Sequence, residues 1–462
     1  MKPSTLLAAF LAITADWLSL FPQKRTWKRG VRQSLGLLVC MGRRCLSRVI
    51  WTNGGQQRSW SAEYFFYSRC RWDPQQLFHP ILRRALAHCP GRFLAMAVDD
   101  TRLRKTGRCI PQVSYHRDPL SPPFHTNLML GLRFLQTSLL LPLHRSAALA
   151  ARALPVRFEE VSVVKKPGKR APASAWTHYR WARKLHNLST RLVQTMQILR
   201  SDLDAAGERK RVLVLALDGS FCNRTVLSTP VPRVELIART RKDAVLCFPA
   251  APGSRRVYAR ETFTPEQVRQ NASLPWKTTK IFYGGKRRRI RYKEVPGILW
   301  RGGAKRRRLR LFVVAPTAYR KRPSARLYYR QPAYLLTSIP QGHAHALLQI
   351  YFDRWQIEVN HREEKDTLGV GEAQLWNSIS VPKQPAFAVA SYSALLLAAL
   401  QTFGAARGSA FAPLPKWRRN APRPSCLDLI TLLRKEMVEC PHLLAPFDLN
   451  FTPQDFTKAA AA

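Results

Sequence analysis

The sequence predicts an α/β protein: a mixed sheet flanked by helices, preceded by a helical N-terminal domain and interrupted by a β-rich insertion. Three observations carry this reading. Two apolar runs of strand length, RFLAMAVDD (92–100) and RVLVLALD (211–218), each end in acid. Stretches before, between and after them repeat apolar residues at three- and four-residue steps, the helical period. Between about 240 and 338 the chain changes to short strand-like pieces broken by Gly, Pro and Arg.

Residues 1–90 read as a helical N-terminal domain, expected to bind DNA. WSAEYFFYSRCRWDPQQLFHPILRRALAHC keeps the helical step with Arg between its apolar positions, and Pro90–Gly91 ends it. Residues 91–240 form the first part of the expected sheet domain. After 92–100, CIPQVSYHRD (109–118) and NLMLGLRFLQTSLLLPL (127–143) are strand candidates, and residues 155–174 read as a polar loop. The stretch 174–207 reads as one long amphipathic helix closed by Gly207. RVLVLALD and RVELIART (233–240) follow as strands.

Residues 241–338 are expected to form the small β-rich unit, with pieces such as KIFYGG, RIRYKEV, GILWRG and LRLFVVA; the Gly pairs 284–285 and 302–303 suit hairpin turns. Residues 339–403 return to helix and complete the sheet domain. Residues 404–462 read as a Pro-, Gly- and Arg-rich linker followed by a terminal helix, CLDLITLLRKEMVEC.

Lys and Arg number 76 against 28 Asp and Glu in 462 residues, a formal charge of +48. Self-repulsion on that scale opposes a compact state unless a polyanion neutralises it, and nucleic acid is the natural one. The nine cysteines form no CxxC pair and no Cys/His cluster, which fits a reduced chain without structural zinc. Two apolar stretches raise the question of a membrane. Residues 5–22 are interrupted by Asp16 and lack a small-residue cleavage site, and residues 385–403 contain Ser391, Ser393 and Gln401, as a buried core helix does. The chain is therefore expected to be soluble, with no membrane partner.

Because acids are scarce, their placement is informative. Asp99, Asp100 and Asp218 stand at the carboxyl ends of apolar strands, where open α/β sheets put their sites. Carboxylates so placed can hold divalent cations that activate an attacking oxygen and stabilise a leaving one in phosphoryl transfer. A lone strand-end Asp more often caps a turn. The segment IYFDRWQIEVNHREEKDTLG changes the balance. On a regular helix its Tyr351, Arg354, Glu358 and Lys365 fall within an arc of roughly 60°. An acid, two bases and a Tyr on one packed face suit a site that handles metal and phosphate. Glu358 would complete the metal cage while Arg354 and Lys365 grip phosphates.

The array Tyr-x2-Arg-x3-Glu-x6-Lys resembles the signature of a large group of bacterial insertion-sequence transposases with a ribonuclease H-like DDE domain. VDDTRLRKTG (98–107) and LALDGSFCN (215–223) are similar to that group's two aspartate motifs, in the same order, and the β-rich stretch between Asp218 and Glu358 matches its insertion domain. The resemblance covers roughly residues 90–403. It implies a ribonuclease H-like mixed sheet and a metal-binding catalytic triad of Asp100, Asp218 and Glu358. Asp100 is chosen over Asp99 because it directly precedes Thr101; the two cannot point the same way from one strand. It further implies two Mg2+ ions, with Mn2+ able to substitute. The expected activity is cleavage and strand transfer at transposon ends without a covalent intermediate, by a homodimer in a synaptic complex with end and target DNA. The implied location is the bacterial cytoplasm, nucleoid-associated when DNA is bound.

Tyr351, Arg354 and Lys365 are then expected at the DNA. So are Arg287, Arg288, Arg306 and Arg307 in the two basic runs 286–289 and 305–308, which are interleaved with aromatics. Trp300, and less so Trp276, is a candidate for stacking on a flipped base. Lys105 could reach phosphate, while His125, His178 and His186 suit structural roles. The alternatives are another ribonuclease H-like metal nuclease, such as a resolvase, or an inactive DNA-binding remnant of a transposase.

Overall fold

A computed structural model describes residues 5–118, 121–122, 124–144, 149–322, 324–418 and 420–456. The N-terminal segment is helical, as expected: α1 (Leu6–Ala15), α2 (Lys24–Val39), α3 (Leu46–Thr52), α4 (Trp60–Ser68) and α5 (Phe78–Ala85). The Thr5 hydroxyl accepts from the Ala8 N–H at 3.1 Å. The next orphan donors, the N–H groups of Leu6 and Leu7, reach a carboxylate far along the chain, Glu436, at 3.1 and 2.6 Å.

A mixed sheet fills the centre. Its strands are β1 (Phe93–Arg104), β2 (Ser114–Arg117), β3 (Leu128–Leu141) and β4 (Arg152–Glu160), then, after helices α6 (Ala173–Leu185) and α7 (Leu188–Ala205), β5 (Val212–Leu217). A short helix α8 (Arg224–Leu227) leads to β6 (Val234–Arg239). β3 runs antiparallel to β1 and carries β4 antiparallel on its side, while β1, β5 and β6 run parallel.

β4 lies where a polar loop was expected from residue 155. Pro155 and the charges of Arg157 and Glu159 hide its period. The proline sits at an irregularity in the β3–β4 register, where a strand tolerates it. The two charges pair with each other at 2.8 Å, and both are buried. The expected single helix over 174–207 is instead two, because the Asn187 side chain accepts from the Thr190 N–H at 3.0 Å and starts α7 afresh.

The stretch expected to form its own β-rich unit mostly extends the main sheet. It contains β7 (Leu246–Pro249), β8 (Tyr258–Phe263), α9 (Pro265–Gln270), β9 (Lys277–Tyr283), β10 (Lys286–Ile298), β11 (Leu309–Val314), β12 (Ala318–Tyr319), β13 (Tyr328–Tyr329) and β14 (Ala333–Thr337). The order is β2-β3-β1-β5-β6-β14-β11-β10-β9, with β4 as a tenth strand on β3, and among the described residues the pairs β7–β8 and β12–β13 form two separate small sheets. The reason is apolar. Ile281, Ile290, Tyr292, Phe312 and Leu335 bury one face against Leu347 and Leu348 of the following helix, α10 (Ala344–Asp353). The Gly284–Gly285 turn, with φ of 60° and 79°, joins β9 to β10 as a hairpin.

After α10 come α11 (Gln356–Arg362), a π-helical turn at Glu363–Thr367, α12 (Ser380–Phe403), α13 (Cys426–Glu439) and α14 (Pro441–Leu444). Among the described residues α12 is the one helix long and apolar enough to cross a membrane, and 78% of its apolar window is buried inside the protein. Two of its polar groups have partners there: Lys383 Nζ donates to Cys70 O at 2.9 Å and Ser391 Oγ to Phe387 O at 2.9 Å. α1 packs on α12 and α13, and Phe387 of α12 meets the rings of Trp17, Phe66, Tyr67 and Trp72. The N-terminal helices thus share one apolar core with the sheet and the C-terminal helices. Residues 404–424 hold no helix or strand among those described.

Candidate functional site

The carboxyl ends of β1 and β5 set the site. Their parallel register runs from Phe93 beside Val212 to Val98 beside Leu217, so one step further puts Asp99 beside Asp218. Neighbours in one row of a parallel pair leave the same face of the sheet. The β5–β6 register, Leu217 beside Ala238, sets Arg239 next in that row. Asp218 begins a tight turn, its side chain accepting from the Gly219 N–H.

The helical segment carrying the four-residue array crosses this edge. It is not a uniform helix. At Arg354–Glu358 it tightens, Ile357 and Glu358 donating three residues back at 3.0 and 3.1 Å. It then widens into the π turn that holds Lys365. π turns often mark functional positions. Arg354 sits at the centre of the acids: its guanidinium is 3.6 Å from Asp99 Oδ2 and donates to Glu358 Oε1 at 3.2 Å. Tyr351, half-buried one turn earlier, is held above the ordinary phenol range by burial, against the pull of Arg354.

The two neighbouring aspartates are treated differently. Burial, with Asp100 and Asp218 close by, pushes the Asp99 carboxyl up to about 7 against the attraction of Arg354. Burial also raises Glu358, with Arg354 opposing and Asp218 adding to it. Asp100 is neutralised locally: Arg133 Nε donates to its Oδ2 at 2.8 Å, and Arg102 lies 3.4 Å away. The structure therefore gathers Asp99, Asp218, Arg354 and Glu358. It sets Asp100 beside them in a cluster with Arg102 and Arg133.

All these acids line one open cleft of about 1240 Å3, together with Lys365, Trp376 and basic residues that include Arg43, Arg104 and Arg133. That exceeds a small-molecule pocket and suits a segment of polymer. His361, absent from the sequence reading, also lines it. Burial, then the charge of Lys365, pushes its imidazole down to about 3, and its Nε2 has no partner. Its place three residues beyond Glu358, on the same helical face, was the signal available. Lys105 is structural here: its Nζ donates to Gly371 O and Ala373 O at 2.5 and 2.9 Å.

The other expected contacts divide. Trp300 stacks over Gly303, where a Cβ would lie 2.2 Å from the ring, and lines a second cavity with Asp218, Arg239, Arg241 and Lys242. Trp276 carries Lys293 and Arg291 near its ring, at 4.8 and 5.7 Å. Arg287 and Arg306 are exposed. Arg288 donates to Tyr283 O at 3.0 Å across the hairpin, and Arg307 is bound to Glu235 at 3.0 Å.

Carboxylate oxygens are the donors that hard divalent cations take, and six carboxyls line this cleft (Asp99, Asp100, Asp118, Asp218, Glu358 and Glu372), so the donor chemistry fits. Their spacing is open: among the described residues no three His, Cys, Asp or Glu side chains form a group that could hold a metal ion. Arg354, between Asp99 and Glu358, supplies positive charge there. None of the nine cysteines forms a disulfide.

Behind the site, Glu364 is buried and accepts from Gln136 Nε2 at 2.9 Å. Burial pushes its carboxyl up to about 8. The folded chain thus holds a proton that the unfolded chain has released, and stability from this group is lost as pH rises from about 4.5 through about 8. Glu364→Gln keeps the shape and removes the titration. Thermal unfolding followed from pH 5 to pH 9 is expected to show a flatter pH dependence in Glu364→Gln than in the parent chain. Equal slopes would remove Glu364 as the cause.

Comparison with protein-family models finds none that matches the chain, and none of the curated proteins matches it in sequence.

Proposed function

We propose that this chain is a transposase that cuts and joins DNA at the ends of an insertion sequence, acting as a homodimer on paired ends. One observation carries the reading. Continuing the β1–β5 register by one step sets the strand-end acids Asp99 and Asp218 in one row, and Arg354 of the Tyr351–Arg354–Glu358–Lys365 array joins Asp99 to Glu358 at a cleft lined by both acids and bases. The strand arrangement supports a ribonuclease H-like core: β4-β3-β1-β5-β6, with β1, β5 and β6 parallel and β3 reversed.

In this reading Asp99, Asp218 and Glu358 hold two divalent ions, Mg2+ or Mn2+. When bound, these would activate the attacking oxygen and stabilise the leaving one. Of the two adjacent aspartates, the geometry favours Asp99 as the ligand. Asp100 keeps Arg133 and Arg102 in place at the cleft wall. Lys365 and the wall arginines orient the phosphate backbone. Arg354 fixes the direction of two carboxylates at once and thereby sets the width of the acid group.

The test is direct. The purified chain is incubated with a plasmid carrying the DNA that flanks its own reading frame, with Mg2+, with Mn2+, or with chelator. Metal-dependent cuts at inverted repeats, followed by joining to a target plasmid, are expected. Cutting without preference for the repeats would favour a general metal nuclease. Tight binding with no cutting under any metal would favour an inactive DNA-binding remnant.

A further inference from the structure

The segment between β4 and α7 is unused by the site described above. From Glu160 to Asp202 the chain has no Asp or Glu. Its loop, 161–172, carries Lys165, Lys166, Lys169 and Arg170; helix α6 carries Arg180, Arg183 and Lys184. α6 is thirteen residues long, yet Ala182 is its one buried residue. A helix that packs so little is not held for its contribution to the core. Its aromatics are displayed: Trp181 is 58% exposed, and Lys166 lies 5.5 Å over the Trp176 ring.

The position is as informative as the composition. β4 ends at Glu160, opposite Phe134, which lies opposite Thr101 at the acid-bearing end of β1. At the other end of the arm, Ser189 in the first turn of α7 accepts from Asn223 Nδ2 at 2.8 Å, and Asn223 lies in the turn that follows Asp218. Both roots of the segment therefore stand at the catalytic edge of the sheet.

We propose that loop 161–172 and α6 form a DNA-gripping arm that binds the phosphate backbone of duplex DNA beside the cleft, with Trp181 buried against that DNA. The occupant follows from charge: seven cations without a single acid face a partner that must be a polyanion, and a duplex backbone presents evenly spaced phosphates. This inference rests on the transposase reading and adds to it a surface outside the acid cleft.

The experiment measures binding of a fluorescent random-sequence duplex by the full-length chain across a salt series. The proteins compared are the parent, a triple variant of α6 (Arg180→Ala, Arg183→Ala, Lys184→Ala), a triple variant of the loop (Lys165→Ala, Lys166→Ala, Lys169→Ala), and Trp181→Ala. Each lost phosphate contact lowers the slope of log K against log salt by about 0.9, so each triple variant is expected to lose up to about 2.7. Trp181→Ala is expected to weaken binding several-fold with little change in slope. Circular dichroism and sedimentation accompany each variant. Triple variants that keep the parent's fold and its full slope overturn the arm. So does a variant that changes the mass of the particle while leaving the slope alone, which would make the segment a contact between copies. A parent chain that binds no DNA fails differently: it overturns the transposase reading itself.

Discussion

Replacing Asp99, Asp218 or Glu358 by its amide is expected to lower strand cleavage by on the order of 10³-fold or more, while binding of DNA stays within a few-fold of the parent chain. In the proposed reading the acids would hold metal ions, a service worth several kcal/mol of transition-state stabilisation, whereas affinity would come from the basic surface. Asp100→Asn is expected to behave otherwise. It takes the carboxylate from Arg133 and Arg102, so it should lower stability by about 1–3 kcal/mol and retain most cleavage. Cleavage of end DNA under Mg2+, with thermal unfolding as the control, separates the two. A cutting Asp99→Asn protein alongside an inert Asp100→Asn protein would reverse the choice between the aspartates and leave the transposase reading standing. Full cleavage by the Asp218 variant would remove the metal assignment altogether.

The choice between Asp99 and Asp100 shows where sequence reasoning stops. That β1 and β5 are apolar strands ending in acid is legible, because RFLAMAV and RVLVLAL are too apolar for anything but burial on both faces. Which aspartate faces Asp218 depends on the register of two strands about 120 residues apart, and a one-residue slip exchanges them. The motif pattern favours Asp100, whereas the pairing of Val98 with Leu217, continued one step, favours Asp99. The helical array was legible from spacing alone. The tightening at Arg354 and the π turn before Lys365 were not, since they arise where the segment fits against the sheet edge.

Where the observed strands differ from the sequence reading, the differences share a cause. β4 was hidden by Pro155 and by two charges that satisfy each other inside the protein. Residues 241–338 read as a separate unit because the composition there shifts to short strand-like pieces broken by Gly, Pro and Arg. One face of its strands, with Ile281, Ile290 and Phe312, is covered by α10, which lies beyond them in the chain. In each case a tertiary partner supplied what the local pattern lacked.

Affinity for duplex DNA is expected to fall by 10³- to 10⁵-fold between about 50 and 200 mM salt, the loss for roughly six to ten neutralised phosphates. A formal charge of +48 leaves ample cations for that number. They are not equivalent, however, and the structure ranks them. Arg307 is bound to Glu235 and half-buried, and Arg288 is turned to the Tyr283 carbonyl. Neither is available to a phosphate without giving up a partner. Lys286, Arg287 and Arg289 at the β9–β10 hairpin, and Lys305, Arg306 and Arg308 before β11, are exposed. Removing either exposed trio should therefore flatten the salt slope by up to about 2.7 if that run lies on the DNA path. Arg307→Ala should leave the slope unchanged and cost a modest amount of stability, on the order of 1 kcal/mol, as expected for a partly exposed ion pair. A slope unaffected by both trios would move the DNA path away from β10 and β11 and onto the cleft wall. A slope that falls with Arg307→Ala alone would mean that DNA draws this arginine away from Glu235.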